Sequence, residues 1–135
     1  MPEKKKSLLD SFAMLAFLNK ESGFEKVRSL LREAKSSDEP LIMNEMNIGE
    51  VYYITAGARS VELAEDFLNR LETLPVHIVT NSYAHVLEAA RLKARFPISY
   101  ADAFAVATAI RMNAAIVTGD PEFRRVEHLA TVNWL

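Results

Sequence analysis

The sequence predicts an α/β fold: a three-layer α/β/α sandwich around a central, mostly parallel sheet of four or five short strands. Two observations carry this expectation. Short apolar runs alternate with helical stretches along the chain, the order a parallel sheet with helical crossovers requires. The short runs are also apolar at nearly every position. That suits strands covered on both faces, which need no polar alternation. A chain of 135 residues suits a single domain, 1–135, with a core of useful size.

The elements follow in order. "SLLD" at 7–10 is a short strand candidate, and Ser11 can cap a helix over 12–19. A second helix spans 24–35 and ends in the polar stretch "SSDEP". "LIM" at 41–43 is the next strand. Asn44 can cap a helix through 56, with Gly57 as its stop signal. Over 61–74 the apolar residues Val61, Ala64, Phe67, Leu68 and Leu71 fall at helical spacing. "VHIV" at 76–79 reads as a strand, and helices follow at 82–95 and 100–113. "AAIVT" at 114–118 is a further buried strand, and "VNW" at 132–134 a short last one.

Half the residues are hydrophobic and a quarter are charged, an ordinary soluble composition. No apolar run approaches the roughly 18 residues of a membrane span. Lysines 4–6 precede a short apolar segment, but Asp10 interrupts it early and no small-residue cleavage site follows, so a cytoplasmic protein is expected. Cysteine is absent, which removes disulfides, thiol nucleophiles and thiolate zinc sites. With a formal net charge of -2, any nucleic-acid contact must use local patches.

Chemistry concentrates in acids at element ends. Asp10 closes the first strand, and Asp120 follows the strand at 114–118. In a parallel sheet, ligands bind outside the carboxyl ends of the strands. The amino ends of the crossover helices open onto that same edge. Asp102 lies in the first turn of its helix, and Glu50 one to two turns into the helix after 41–43. Each acid also has a structural explanation. Ser99-x-x-Asp102 matches a capping box, with Asp in place of the usual Glu or Gln. Asp120-Pro121 places an N-cap acid before a proline suited to the first helical position. Asp10 can end a strand and polarise the next helix start. Glu50 resists such an account, because Ile48, Val51, Tyr52 and Ile54 surround it with an apolar helix. Asn47, three residues earlier, shares its face.

Four carboxylates on one edge repel one another, and burial raises their pKa values further. No neighbouring lysine or arginine neutralises them all, whereas a divalent cation does. All-oxygen ligands suit Mg2+ or Mn2+ rather than zinc. Other constellations are poor. His77, His85 and His128 show no ligand spacing and read as surface or interface residues. There is no Gly-x-Ser-x-Gly elbow, and four glycines form no phosphate loop. The aromatics Phe12, Phe17, Tyr52, Tyr53, Phe67 and Phe104 read mostly as core, with one or two free to line an interface.

The order and setting of the acids resemble the PIN-domain family, and within it the VapC-like toxin ribonucleases. "LLDSFAMLAFL" looks like the family's opening strand with its acid at Asp10. "NEMNIGEVYY" resembles the segment carrying the family's glutamate, here Glu50. "SYADAFAVATA" resembles the family's most recognisable segment, with Asp102. "AAIVTGDPEF" resembles the closing strand and Thr-x-Asp turn, with Asp120. The likeness covers nearly the whole chain.

The resemblance implies a PIN-like nuclease that cleaves RNA phosphodiesters with one or two Mg2+ or Mn2+ ions, usually as a homodimer. It implies Asp10, Glu50, Asp102 and Asp120 as catalytic and metal-holding acids, and a cognate antitoxin that blocks the site with an inserted peptide. Thr118 matches the family's threonine and would orient a metal-bound water or Asp120. Asn47 stands where the family often has Ser or Thr, and Ser99 caps the helix of Asp102. Glu122, two residues past Asp120, has the structural reason common to acids in a first helical turn. Arg124 and Arg125 are the best candidates for RNA phosphate contact. Arg91, Lys93 and Arg95 either contribute or form a solvated helix face, and lysines 4–6 read as a solvated tail. Two alternatives remain open on sequence: a structure-specific DNA nuclease, and a non-catalytic PIN-like interaction module whose acids only cap helices.

Overall fold

The computed structural model describes residues 5–135. Strand β1 (Lys6–Leu9) leads into helices α1 (Ser11–Leu18) and α2 (Phe24–Ser37). Strand β2 (Leu41–Asn44) is followed by α3 (Glu45–Ala58) and α4 (Val61–Leu71). Strand β3 (Val76–Val79) is followed by α5 (Tyr83–Arg95) and α6 (Tyr100–Met112). Strand β4 (Ala114–Thr118), a 3-10 turn (Pro121–Val126) and β5 (Val132–Trp134) complete the order.

The five strands form one sheet in the order β3-β2-β1-β4-β5, and every neighbouring pair is parallel. Successive side chains on a strand point to opposite faces, and across β2, β4 and the end of β1 both faces are covered. Leu9, Met43 and Val117 pack with Met14, Phe17, Val27, Val51 and Phe67 on one face. Leu8, Ile42 and Ile116 pack with Phe104, Val106, Phe123 and Val126 on the other. This is why the strands read as continuous apolar runs.

Helices α1 to α4 supply the first core and α5 and α6 the second, so the crossovers change face after β3. From β1 the chain moves outward to β2 and β3, then returns to place β4 on the other side of β1. The carboxyl ends of β1 and β4 therefore flank a topological switch point, the usual crevice of an open parallel sheet.

Several local expectations change. The cap of α1 is Asp10, whose Oδ1 accepts the Ala13 N–H at 2.8 Å, and not Ser11, which turns inward. Gly57 does not stop α3, which runs to Ala58; the Thr55 carbonyl accepts both the Arg59 and Ser60 N–H groups to close it. Helix α4 ends at Leu71, because Thr73 and Leu74 bond back in a tight turn ahead of Pro75. Helix α2 extends to Ser37, since Asp38 adopts a left-handed C-cap with φ of 58°. His85 is a capping residue: its Nδ1 accepts the Ser82 N–H at 3.2 Å. Of lysines 4–6, Lys4 lies outside the described residues, Lys6 opens β1, and Lys5 donates to Thr131 Oγ1. Phe17, Phe67 and Phe104 are core, while Phe12 and Tyr53 face solvent.

Candidate active site

The site is built at the switch point, around Thr118. This last residue of β4 is fully buried. Its Oγ1 donates to Asp10 Oδ2 at 2.5 Å and accepts the Asp120 N–H at 3.0 Å. One hydroxyl thus joins the end of β1 to the turn beyond β4. Asp10 is buried, and burial pushes its pKa up to about 7. Its bonds from Thr118 and Ala13 oppose the shift, and the charges of Asp120 and Glu50 add to it.

Asp102 enters from α6. The N-cap Ser99 accepts the Asp102 N–H on its Oγ at 3.1 Å, so half of a capping box is present. The other half is not supplied by Asp102. The Ser99 N–H instead donates to the carboxylate of Glu122, on the 3-10 turn. Asp102 is thereby released from capping. Its pKa rises to about 8, first through burial, then through the charges of Glu122, Asp120 and Asp10 and a hydrogen bond with Glu122. Asp120 caps the 3-10 turn, its Oδ1 accepting the Glu122 N–H at 2.9 Å with Pro121 in the first position. Asp102, Asp120 and Glu122 offer oxygens that all lie within 4.8 Å of one another.

Asn47 holds the remaining wall. It is fully buried, and its Nδ2 donates to Ser11 Oγ at 3.3 Å and to the Ala101 carbonyl at 3.2 Å. Ser11 in turn donates to the Asn47 carbonyl at 3.3 Å. The first turns of α1, α3 and α6, next to Asp10 and Asp102, are thus tied through one amide. Asn47 Oδ1 is buried without a partner, an acceptor left over for an incoming donor. Glu50 lies one turn further along α3, half-buried, where its charge raises Asp10 and it accepts from Tyr53 Oη at 3.4 Å. It stands outside the three-acid cluster.

The cations stand elsewhere. Arg124 lies over the Trp134 ring at 4.7 Å and pairs with Glu127 at 3.7 Å. Arg125 donates to the Pro97 carbonyl at 2.6 Å. Lys93 donates to the Ile98 carbonyl, and Arg95 lies over Phe96. Among the described residues, no ion pair reaches Asp10, Glu50, Asp102, Asp120 or Glu122. The acids are all-oxygen donors that lack a compensating charge, a set that fits a hard divalent cation. Glu122 is the member that sequence reading set aside. Its only sequence signal is position: two residues after Asp120, at the start of a turn that faces the head of α6.

Fold and acids together define an α/β protein with an acid-lined site at the carboxyl edge of a parallel sheet. The chain belongs to the PIN domain family, whose model matches residues 7–129. No curated protein matches the chain. Solved structures share its fold. VapBC2 from Rickettsia felis, bound to a DNA fragment from its promoter, has a TM-score of 0.73 at 18% identity, covering 96% of this chain and 98% of that one. DNA-bound VapBC from Salmonella typhimurium has a TM-score of 0.76 at 13% identity, covering 97% and 98%. The sarcin-ricin loop cleaving toxin VapC20 of Mycobacterium tuberculosis has a TM-score of 0.72 at 16% identity, covering 90% and 95%.

Proposed function

We propose that this protein is a divalent-metal-dependent endoribonuclease and the toxin of a VapBC-type pair. The observation that carries the reading is the uncompensated acid cluster at the switch point of a PIN domain. Three carboxylates offer oxygens within 4.8 Å of one another; the charge of Asp10 acts on Asp102, and that of Glu50 on Asp10.

In this reading Asp10, Glu50, Asp102 and Asp120, joined by Glu122, hold one or two Mg2+ or Mn2+ ions directly or through water. When bound, such an ion lowers the pKa of a coordinated water and stabilises charge building on the phosphate. The protein supplies placement. Thr118 fixes the spacing of Asp10 and Asp120, Asn47 fixes the helix starts, and Ser99 caps α6 so that Asp102 need not. Burial and the neighbouring charges favour a proton on Asp102, which a bound cation would displace. No side-chain nucleophile is required, consistent with the absence of cysteine.

Arg124 and Arg125 are exposed on the turn after Asp120 and are the proposed phosphate contacts. Each would exchange a neutral or surface partner for RNA, and binding would weaken with salt. The domain is taken as one unit spanning 1–135, acting in the cytoplasm as a homodimer. Exposed Tyr53, Val61 and Leu63 on α3 and α4 are apolar surface a second copy would cover. No helix among the described residues is long and apolar enough to cross a membrane. The antitoxin partner follows from the same reading, since the similar structures include VapBC complexes.

The test is cleavage-site mapping on total RNA with Mg2+ or Mn2+, comparing the parent with Asp102→Asn. Cleavage by the parent alone is expected. A parent that leaves all RNA intact overturns the activity, and equal cleavage by both overturns the site.

A further inference from the structure

Phe12 sits at the second position of α1, two residues after buried Asp10, yet it is 41% exposed. Its ring lies against Gly119. A Cβ added at 119 would fall 2.4 Å from Phe12 Cε1 and 2.9 Å from Cζ. Gly119 does not have a positive φ, so its backbone suits any residue. The missing side chain leaves the ring its place, since any Cβ there would make the ring shift. Gly119 also joins Thr118, which binds Asp10, to Asp120. The phenyl group is therefore seated beside the acids while much of it stays in water, an arrangement that core packing does not require.

Phe12 also lines a surface groove with Leu15, Ala16, Glu21 and Ser22. The groove is mostly apolar and contains no lysine or arginine. Glu21 disfavours a phosphate there, whereas a flat, uncharged nucleobase fits. A base has a π-face to stack on the ring and edge donors to meet a carboxylate or hydroxyl. Its phosphate then lies toward the acid cluster, on the Gly119 side.

We infer that Phe12 is a stacking platform for an unpaired RNA base next to the scissile phosphate, positioned by the missing side chain at 119. This rests on the ribonuclease reading and deepens it: the substrate must be single-stranded at that nucleotide, because a paired base cannot offer its face.

The experiment measures binding by fluorescence anisotropy, using Asp102→Asn protein, Mn2+ and a labelled single-stranded RNA hexamer. A matched hexamer lacking bases is the control. Phe12→Leu is expected to weaken binding of the base-bearing hexamer about 10-fold, and the abasic one hardly at all. Phe12→Tyr keeps the ring and the affinity. Gly119→Ala pushes the ring aside and reproduces the loss, but adds nothing to Phe12→Leu. Melting curves confirm that each variant folds. Unchanged affinity in folded Phe12→Leu overturns the platform, as does an equal loss on the abasic hexamer. Parent protein that binds RNA through Phe12 but cuts none overturns only the ribonuclease reading. Parent protein that cuts RNA while binding ignores Phe12 overturns only this one.

Discussion

Glu122 accepts the backbone N–H of Ser99, the residue whose own side chain caps α6. A capping acceptor for one element therefore comes from another, across 23 positions of sequence. The consequence falls on Asp102. Its carboxylate, relieved of capping, is placed among Asp120 and Glu122 instead.

Asp102→Asn separates chemistry from folding. Asn has nearly the same shape, and the Ser99 cap does not use the Asp102 side chain. The melting temperature should stay level or rise, because a repelling buried charge is removed. RNA cleavage should fall on the order of 100-fold or more, the range expected when a metal-holding group is lost. Coupled loss of fold and activity would return Asp102 to a structural role.

Glu122→Gln distinguishes a cap from a ligand. The Gln carbonyl can still accept the Ser99 N–H, so the head of α6 should hold. The charge beside Asp102 is gone, so the metal-free protein should melt higher at pH 8 than the parent. Calorimetric titration should show weaker Mn2+ binding. Unaltered Mn2+ affinity would make Glu122 a cap only.

The metal-free protein should lose stability as pH rises. Asp10 and Asp102 are raised from an ordinary 3.8 to about 7 and about 8. Between pH 4 and 8 the folded state thus holds protons that the unfolded state has released, and stability falls through that window. Below pH 4 both states are protonated and the penalty vanishes. Both acids act in the same direction, each raised first of all by burial. Chemical denaturation at pH 5 and pH 8 with a chelator present measures it. Asp10→Asn and Asp102→Asn should each flatten the slope.

Millimolar Mn2+ should reverse that loss. A ligand at 100 times its Kd adds about 2.7 kcal/mol to the native state. Scanning calorimetry at pH 8 should show a higher Tm with Mn2+ than with chelator, and a smaller difference in Asp102→Asn. Identical melting with and without metal would favour an inert module.

Thr118→Val tests the hydroxyl between the acids. The shape is kept, but Asp10 Oδ2 loses a donor and the Asp120 N–H loses an acceptor. Both are at the buried centre of the site, so a loss of about 1–3 kcal/mol in stability is expected. Cleavage should drop as well, and Thr118→Ser should restore both.

Much of the fold was legible. Strands 76–79, 114–118 and 132–134 are found where the short runs place them; for 114–118 the reason is cover on both faces, which leaves no polar position to blur its limits. Helix ends were harder. Gly57 looked like a stop and was not, since the bonds closing α3 come two and three residues later. The capping signal at Ser11 was misplaced by one residue, because Asp10 offers a carboxylate to the same turn.

By itself, the sequence determined the alternation of strands and helices, the two covered faces at the centre of the sheet, and which acids lie at element ends. These are local matters of period, burial and capping chemistry. Only the tertiary structure decided which acids meet. Placing β4 beside β1 brings Thr118 to Asp10, and the turn after it carries Glu122 to Ser99, contacts 108 and 23 positions apart. Local spacing carries no record of such distances. They arise when the two apolar faces are buried together, and that burial brings the carboxylates of Asp102, Asp120 and Glu122 within 4.8 Å of one another.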